Sequence, residues 1–306
     1  MSNKTERFDK MGDRMKAYER IETEQRFKPN SILHVRLDGR GFSKFTKGLH
    51  RPYDERLSTL MVDTAKHVLE RFKCVVGYTQ SDEMSFILVN DYETPCDFDA
   101  KKQKLLSSFS ATATAFFNAN LASRIPEKAG YYPEFDCRIF EVPNESEATN
   151  SILWREKDAI KNSVSMLAQH YFSHKELQKK SAIVMKDMLK TQKDVIWDDM
   201  PRFFKSGTIL KRELYLKTNA ELKENCHVQY GIISIRSRTI EVDSVLNNME
   251  HEERVKLVMS KNIDNSQQLQ SNNNRVYDLS VDWTDSIPKG QRFNGTIEHP
   301  KPIGVK

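Results

Sequence analysis

Apolar and polar residues alternate cleanly over residues 31–38, SILHVRLD. Leu33, Val35 and Leu37 fall on one side, His34, Arg36 and Asp38 on the other, the period of a strand with one buried and one polar face. It runs into Asp38-Gly39-Arg40-Gly41, a turn with two glycines. Asp54 is placed to cap a helix in which Leu57, Leu60, Met61, Ala65, Val68, Leu69 and Phe72 form one apolar stripe. Residues 74–80 return as a strand, Ser81-Asp82-Glu83 makes a tight turn, and 84–90 is the next strand, a hairpin with acids at its tip. A second long helix covers about 100–122, with Leu105, Phe109, Ala113, Phe116 and Phe117 on its apolar side, and 135–142 is a fourth strand. The order βαββαβ is that of a ferredoxin-like α+β unit. Its antiparallel sheet carries helices on one face and leaves the other open. Asp38 and the hairpin acids then lie side by side near the open face.

Downstream, a helix over about 146–172 carries Trp154, Arg155, Asp158 and Asn162, and a second helix covers 175–190. FFKSGTIL at 203–210 is a loop entering a strand, and 230–242 is a strand or hairpin. Beyond about 245 the chain turns polar, with asparagines at Asn272, Asn273 and Asn274, and is expected to be peripheral or partly disordered. The organisation expected is one domain over 1–245 with helical additions and a small C-terminal extension over 246–306.

Composition changes this picture little. The 306 residues are 38% hydrophobic and 30% charged, with a net charge of +5, too balanced to indicate nucleic acid by itself. No apolar run is long enough to span a bilayer, so no membrane partner is expected. Met1 to Phe8 is polar, unlike a secretory signal. Cys74, Cys96, Cys137 and Cys226 are scattered without a CxxC pair, which argues against zinc and for reduced thiols in a cytoplasmic protein.

The chemistry-bearing candidates are acids. Phosphoryl transfer to a hydroxyl needs charge neutralised on attacking and leaving oxygens, which two metal ions supply. Magnesium takes hard oxygen ligands and keeps several waters, so two carboxylates suffice when phosphate helps. Asp38 at a strand end and Asp82 at the hairpin have that context; Glu83 adds charge, and the Gly39 carbonyl is a further oxygen. Each acid alone fits an ordinary turn role equally well. N–H groups around Gly39, Gly41 and Phe42 suit an anion nest, or simply a strand-to-helix loop, since P-loop spacing is missing. Lys101, Lys102 and Lys104 open the second long helix with the wrong sign for its dipole, which fits a nearby phosphate or a solvated charge run. Lys205 stands among Phe203, Phe204 and Gly207. His34 is placed on the open face, where a lone histidine is ordinarily structural.

Six stretches in order, VRLDGRGFSKF (35–45), RPYDER (51–56), YTQSDEMSF (78–86), FDCRIFEVP (135–143), WREKDAIKNS (154–163) and FFKSGTIL (203–210), resemble the tRNA-histidine guanylyltransferases and the related 3′-to-5′ RNA polymerases. The resemblance implies a polymerase-like palm in which Asp38, the Gly39 carbonyl and Asp82 bind two Mg2+ ions, with Glu83 the adjacent essential acid. It implies that the turn through Asp38, Gly39, Arg40, Gly41, Phe42 and Ser43, together with Ser81, Asp82 and Asp54, holds the incoming nucleotide. Lys101 and Lys104 match triphosphate contacts, Lys205 a lysine of the chemistry or of RNA contact, and Trp154, Arg155, Asp158 and Asn162 an RNA-contacting helix. Members activate the RNA 5′ end with ATP, then let the 3′-hydroxyl of GTP attack it; they act on tRNA and are usually tetramers. This chain departs from the pattern at Arg51 (usually lysine), at Thr79 (usually glycine) and at Ile160-Lys161-Asn162-Ser163, where the histidine-tRNA enzymes carry His-Ile-Asn-Asn. The departures bear on which RNA is used, and templated repair of 5′-truncated tRNAs is favoured over strict histidine-tRNA specificity. A palm-type nucleotide cyclase and a non-catalytic RRM-like RNA-binding module are the alternatives; an RNP1-like strand is missing, which weighs against the second.

Overall fold

The structure is a computed structural model and describes residues 10–92, 95–217 and 234–264. A helix not foreseen from the sequence, α1 (Lys10–Thr23), comes first and buries none of its side chains. Strand β1 (Ser31–Arg40) follows, then the four-residue helix α2 (Phe42–Phe45) and α3 (Glu55–Phe72). The hairpin is β2 (Val76–Gln80) and β3 (Glu83–Asn90); α4 (Lys102–Arg124) and β4 (Glu134–Val142) complete the unit. The order β4-β1-β3-β2, antiparallel throughout, is the ferredoxin-like arrangement the sequence predicts. Beyond it lie α5 (Glu145–Tyr171), α6 (His174–Leu177), α7 (Ala182–Lys193), α8 (Arg202–Ser206), β5 (Thr208–Lys217), β6 (Ser234–Val242), α9 (His251–Met259) and the two-residue β7 (Ile263–Asp264). β5 extends the sheet by pairing with β2, β6 adds to β5, and β7 runs parallel beside β5.

The predicted stripes are the core. Leu60, Met61, Ala65, Val68, Leu69 and Phe72 of α3 and Leu105, Phe109, Ala113 and Phe117 of α4 pack on Leu33, Val35 and Leu37 of β1 and Met84, Phe86 and Leu88 of β3. Asp54 caps α3, accepting from the Arg56 N–H at 3.0 Å.

The other sheet face is not open. α5 covers it, burying Ala148, Ile152 and Ala159 against Val76, Tyr78 and Ile87. β2 and β3 carry apolar residues on both faces, so leaving one in water is unfavourable. His34, expected on an exposed face, is fully buried. Its Nδ1 lies 2.7 Å from the Ser151 Oγ of α5, and its ring stacks on Phe140. Burial, with the Arg36 and Arg155 charges second, pushes its pKa down to about 3. Between the unfolded value near 6.5 and that folded value, the unfolded chain binds a proton that the native chain does not, so stability falls as pH drops. Melting temperature is expected to decline on acidification from pH 7 to 4, and His34→Asn to flatten that decline. An unchanged acid limb in the variant would assign it to other groups.

Two further expectations change. The single helix over 175–190 is two pieces: Ser173 starts α6 with a capping box, Ser181 caps α7 afresh, and Lys179 between them has φ 62°. Residues 203–206, expected as loop, belong to α8. The first part of the polar C-terminal stretch is packed rather than peripheral. Leu246 and Val258 are buried in the α5-side core. Glu156 of α5 accepts the Leu246 and Asn247 N–H groups at 2.9 and 2.6 Å. The ammonium of Lys211, buried on β5, donates to the carbonyls of Val75 (2.6 Å), Val258 (3.1 Å) and Ser260. Cys226 and the asparagine-rich stretch from Asn272 lie outside the described residues.

Candidate active site

The hairpin fold brings the acids together. Gln80 and Glu83 are register partners, which leaves Ser81 and Asp82 as a two-residue loop, with Ser81 at φ 51°. Asp38 pairs with Glu83 across β1 and β3, and the Gly39 N–H donates to the Asp82 carbonyl at 3.0 Å. Asp38-Gly39 and Asp82-Glu83 are therefore locked side by side at one end of the ladder. Thr79 is buried, and its hydroxyl donates to the Glu83 carbonyl at 2.9 Å, closing the hairpin.

Among the described residues Asp82 has no cationic partner. Burial raises its pKa first, and the negative charges of Asp38 and Glu83 add to this, against hydrogen bonds from its own N–H and from Ser81. Glu83 is different. Arg155 of α5 grips it side-on, Nε to Oε1 at 2.6 Å and Nη2 to Oε2 at 2.8 Å. Arg155 also meets Asp158 at 3.2 Å and lies 4.6 Å from the centre of the Trp154 ring.

A magnesium site fits this donor set. No three His, Cys, Asp or Glu side chains converge as a preformed cage among the described residues. Magnesium does not need one, since two carboxylates plus waters and substrate phosphate suffice. The observation favouring it is Asp82, a half-buried acid whose negative charge no cation among the described residues offsets.

Glycine at 39 has a local reason: a Cβ there would sit 2.4 Å from the buried Phe42 ring. Its N–H is engaged by Asp82, so it is not free for the anion nest expected from the sequence. Gly41, at φ 70°, turns the chain into α2, whose first N–H groups belong to Phe42 and Ser43. Gly39→Ala is expected to displace Phe42, cost about 1–3 kcal/mol of stability and impair activity through Asp38. Normal activity and melting temperature would show that the ring has room to move.

One pocket gathers Phe42, Ser43, Asp54, Ser81, Asp82 and Asn162. Arg51 lines it too. The Asp54 carboxylate itself is engaged within the protein. Arg56 grips it at 3.0 and 2.7 Å, His50 N–H donates at 3.2 Å, and these bonds, Arg56's above all, hold its pKa down to about 2. Lys101 and Lys104 are not brought to this pocket. With Lys16 and Arg20 of α1 they line a separate concavity, where Lys101 pairs with Glu24 at 2.7 Å. Lys205 donates to the Asp198 carbonyl and sits 5.6 Å from the centre of the Trp197 ring. Trp154 is exposed and Arg40 largely so, the latter 3.3 Å from Glu134. Sequence reasoning missed the Arg155–Glu83 pair, because its partners are 72 residues apart and nothing local couples them.

The fold is an α+β unit with an antiparallel sheet, and Asp38 and Asp82 stand together at one end of its β1–β3 ladder. A family model for tRNAHis guanylyltransferase (Thg1) matches residues 12–143. A bacterial tRNA(His) guanylyltransferase (Thg1)-like protein in complex with ATP superposes with a TM-score of 0.69 at 30% identity, covering 81% of this chain and 98% of that one. The complex with GTP gives 0.65 at 28% identity, covering 82% and 100%. An uncharacterised protein of Acanthamoeba polyphaga mimivirus is 30% identical over 69% of this chain and 80% of its own length. The tRNA(His) guanylyltransferase of Saccharomyces cerevisiae is 26% identical over 67% and 93%. This chain belongs to the tRNA(His) guanylyltransferase family. No described helix is long and apolar enough to cross a membrane.

Proposed function

We propose that this enzyme adds nucleotides to the 5′ end of tRNA, using ATP to activate that end and GTP as the added nucleotide. The observation that carries the reading is the side-by-side placement of Asp38 and Asp82 next to a pocket that also presents Ser43, Ser81 and Asn162. The ATP and GTP complexes of the bacterial relatives support the choice of nucleotides.

Asp38 and Asp82, with the Gly39 carbonyl, are the groups that would hold two magnesium ions. Bound there, the metal supplies charge neutralisation at the attacking and leaving oxygens. The pocket around Ser43 and Ser81 orients the incoming nucleotide so that its 3′-hydroxyl faces the activated 5′ phosphate, an arrangement that removes much of the entropic barrier. Glu83 remains the anion that holds Arg155. Lys205 serves a phosphate of the RNA or the leaving group; Lys101 and Lys104 serve one at the separate concavity beside α1.

Substrate range follows from Ile160, half-buried on α5, where the histidine-tRNA enzymes place a histidine. An aliphatic side chain makes no polar contact to RNA, and discrimination by hydrogen bonds is far stronger than discrimination by apolar fit. Base pairing to the opposite acceptor strand then selects the added nucleotide. In a competition between 5′-truncated tRNAs of several identities and full-length histidine tRNA, labelled GTP is expected to enter the truncated tRNAs by templated addition. Exclusive non-templated addition to histidine tRNA would defeat the repair reading. Cyclic or dinucleotide products without RNA would instead indicate a cyclase.

A further inference from the structure

Asp38, Asp82 and Glu83 all stand at the end of the β1–β3 ladder, but their side chains do not converge as one ligand set among the described residues, and that of Glu83 is held by Arg155. Glu83 follows Asp82 in the chain and is the register partner of Asp38, so the two side chains leave the sheet on the same, α5-covered face. Left free, Glu83 would be a third hard ligand beside Asp38 and Asp82. It is not free. The Arg155 guanidinium holds both of its oxygens, and each side chain of the pair is only 9% exposed. A cation approaching Glu83 would meet this fixed positive charge. Arg155 is itself braced by Asp158 and by the Trp154 ring, so it has partners on more than one side.

We infer that Arg155 sets the ligand charge of the metal site, withholding Glu83 so that only the carboxylates of Asp38 and Asp82 are available to a cation. This rests on the reading of Asp38 and Asp82 as metal holders. Two carboxylates suit magnesium, which binds through one or two of them and takes substrate phosphates as further ligands. Three suit calcium, which takes six to eight oxygens in flexible geometry. Arg155 therefore keeps the site weak for bare cations until a nucleotide arrives, and selective for the smaller ion. It is a positioning residue acting through Glu83, with no contact to substrate required.

The test measures Mn2+ binding to the full chain without nucleotide, by electron paramagnetic resonance titration, with Ca2+ as competitor. Arg155→Met is expected to bind Mn2+ about tenfold more tightly or better, since it frees a third carboxylate, and to let Ca2+ compete more strongly. Arg155→Lys keeps the charge but cannot hold both oxygens, and is expected to move the same way by less. It also covers the case in which Arg155→Met fails to fold. Combining Arg155→Met with Glu83→Gln should return the affinity to that of the unaltered protein. Structural damage loosens a metal site, so tightening is not explained by it. Unchanged or weaker Mn2+ binding in Arg155→Lys and in any folded Arg155→Met, while Asp38→Asn weakens binding, overturns the inference alone. If Asp38→Asn leaves binding untouched, the metal reading fails and the inference with it.

Discussion

Asp82→Asn is expected to lower nucleotide incorporation about a thousandfold or more while leaving the protein as stable as before, or more so. The loss follows from removing half of the carboxylate charge that holds the metal. The stability gain follows from the same burial. Asp82 is half-buried next to Asp38 and Glu83, and its pKa is raised by burial first and by those charges as well. The native state thus holds its proton at a pH where the unfolded chain has released it, so stability falls as pH rises through the raised value. Asparagine removes that penalty. The melting temperature of Asp82→Asn should exceed that of the unaltered protein by a margin that grows from acid to neutral pH. Added Mg2+ should raise the melting temperature of the unaltered protein and have less effect on the variant. Asp38→Asn is expected to lose activity to a similar degree. Near-normal turnover in either variant would sink the assignment.

Glu83→Ala carries the largest expected loss of stability. It leaves the Arg155 guanidinium, buried between α5 and the sheet, without its bidentate partner. Breaking a buried pair from one side costs about 3–5 kcal/mol, because the remaining charge is uncompensated. For a chain of 306 residues that corresponds to a fall of roughly 5–8 °C in melting temperature. Replacing both partners, as in Glu83→Gln with Arg155→Met, should recover most of the loss, because no charge is left unpaired. Asp158 at 3.2 Å offers Arg155 a second anion. If the alanine variant melts within about 2 °C of the unaltered protein, a shift of the size of ordinary surface effects, Asp158 alone satisfies the arginine and the pair is not a structural requirement.

The sequence by itself determined the βαββαβ order, both helix stripes and the neighbourhood of Asp38 and Asp82. These are written in local periodicity: alternation along β1, the stripe from Leu60 to Phe72, and a tight turn at Ser81-Asp82-Glu83, whose last residue the structure places in β3. Strand register then follows, because a slip of one residue would turn Leu33, Val35 and Leu37 away from the core. What only the tertiary structure decided is everything that α5 does. Its helical pattern was legible, but not that Ile152 and Ala159 lie on the second sheet face, that His34 is buried beneath it, or that Arg155 reaches Glu83. Such contacts join residues over a hundred positions apart in the case of His34 and Ser151, and no local preference encodes them. The separation of Lys101 and Lys104 from the Asp82 pocket has the same origin, since α1 supplies the other wall of their concavity. Periodicity fixes which side of an element is apolar; the competition among all apolar surfaces for burial fixes which partner covers it, and that competition is settled only in three dimensions.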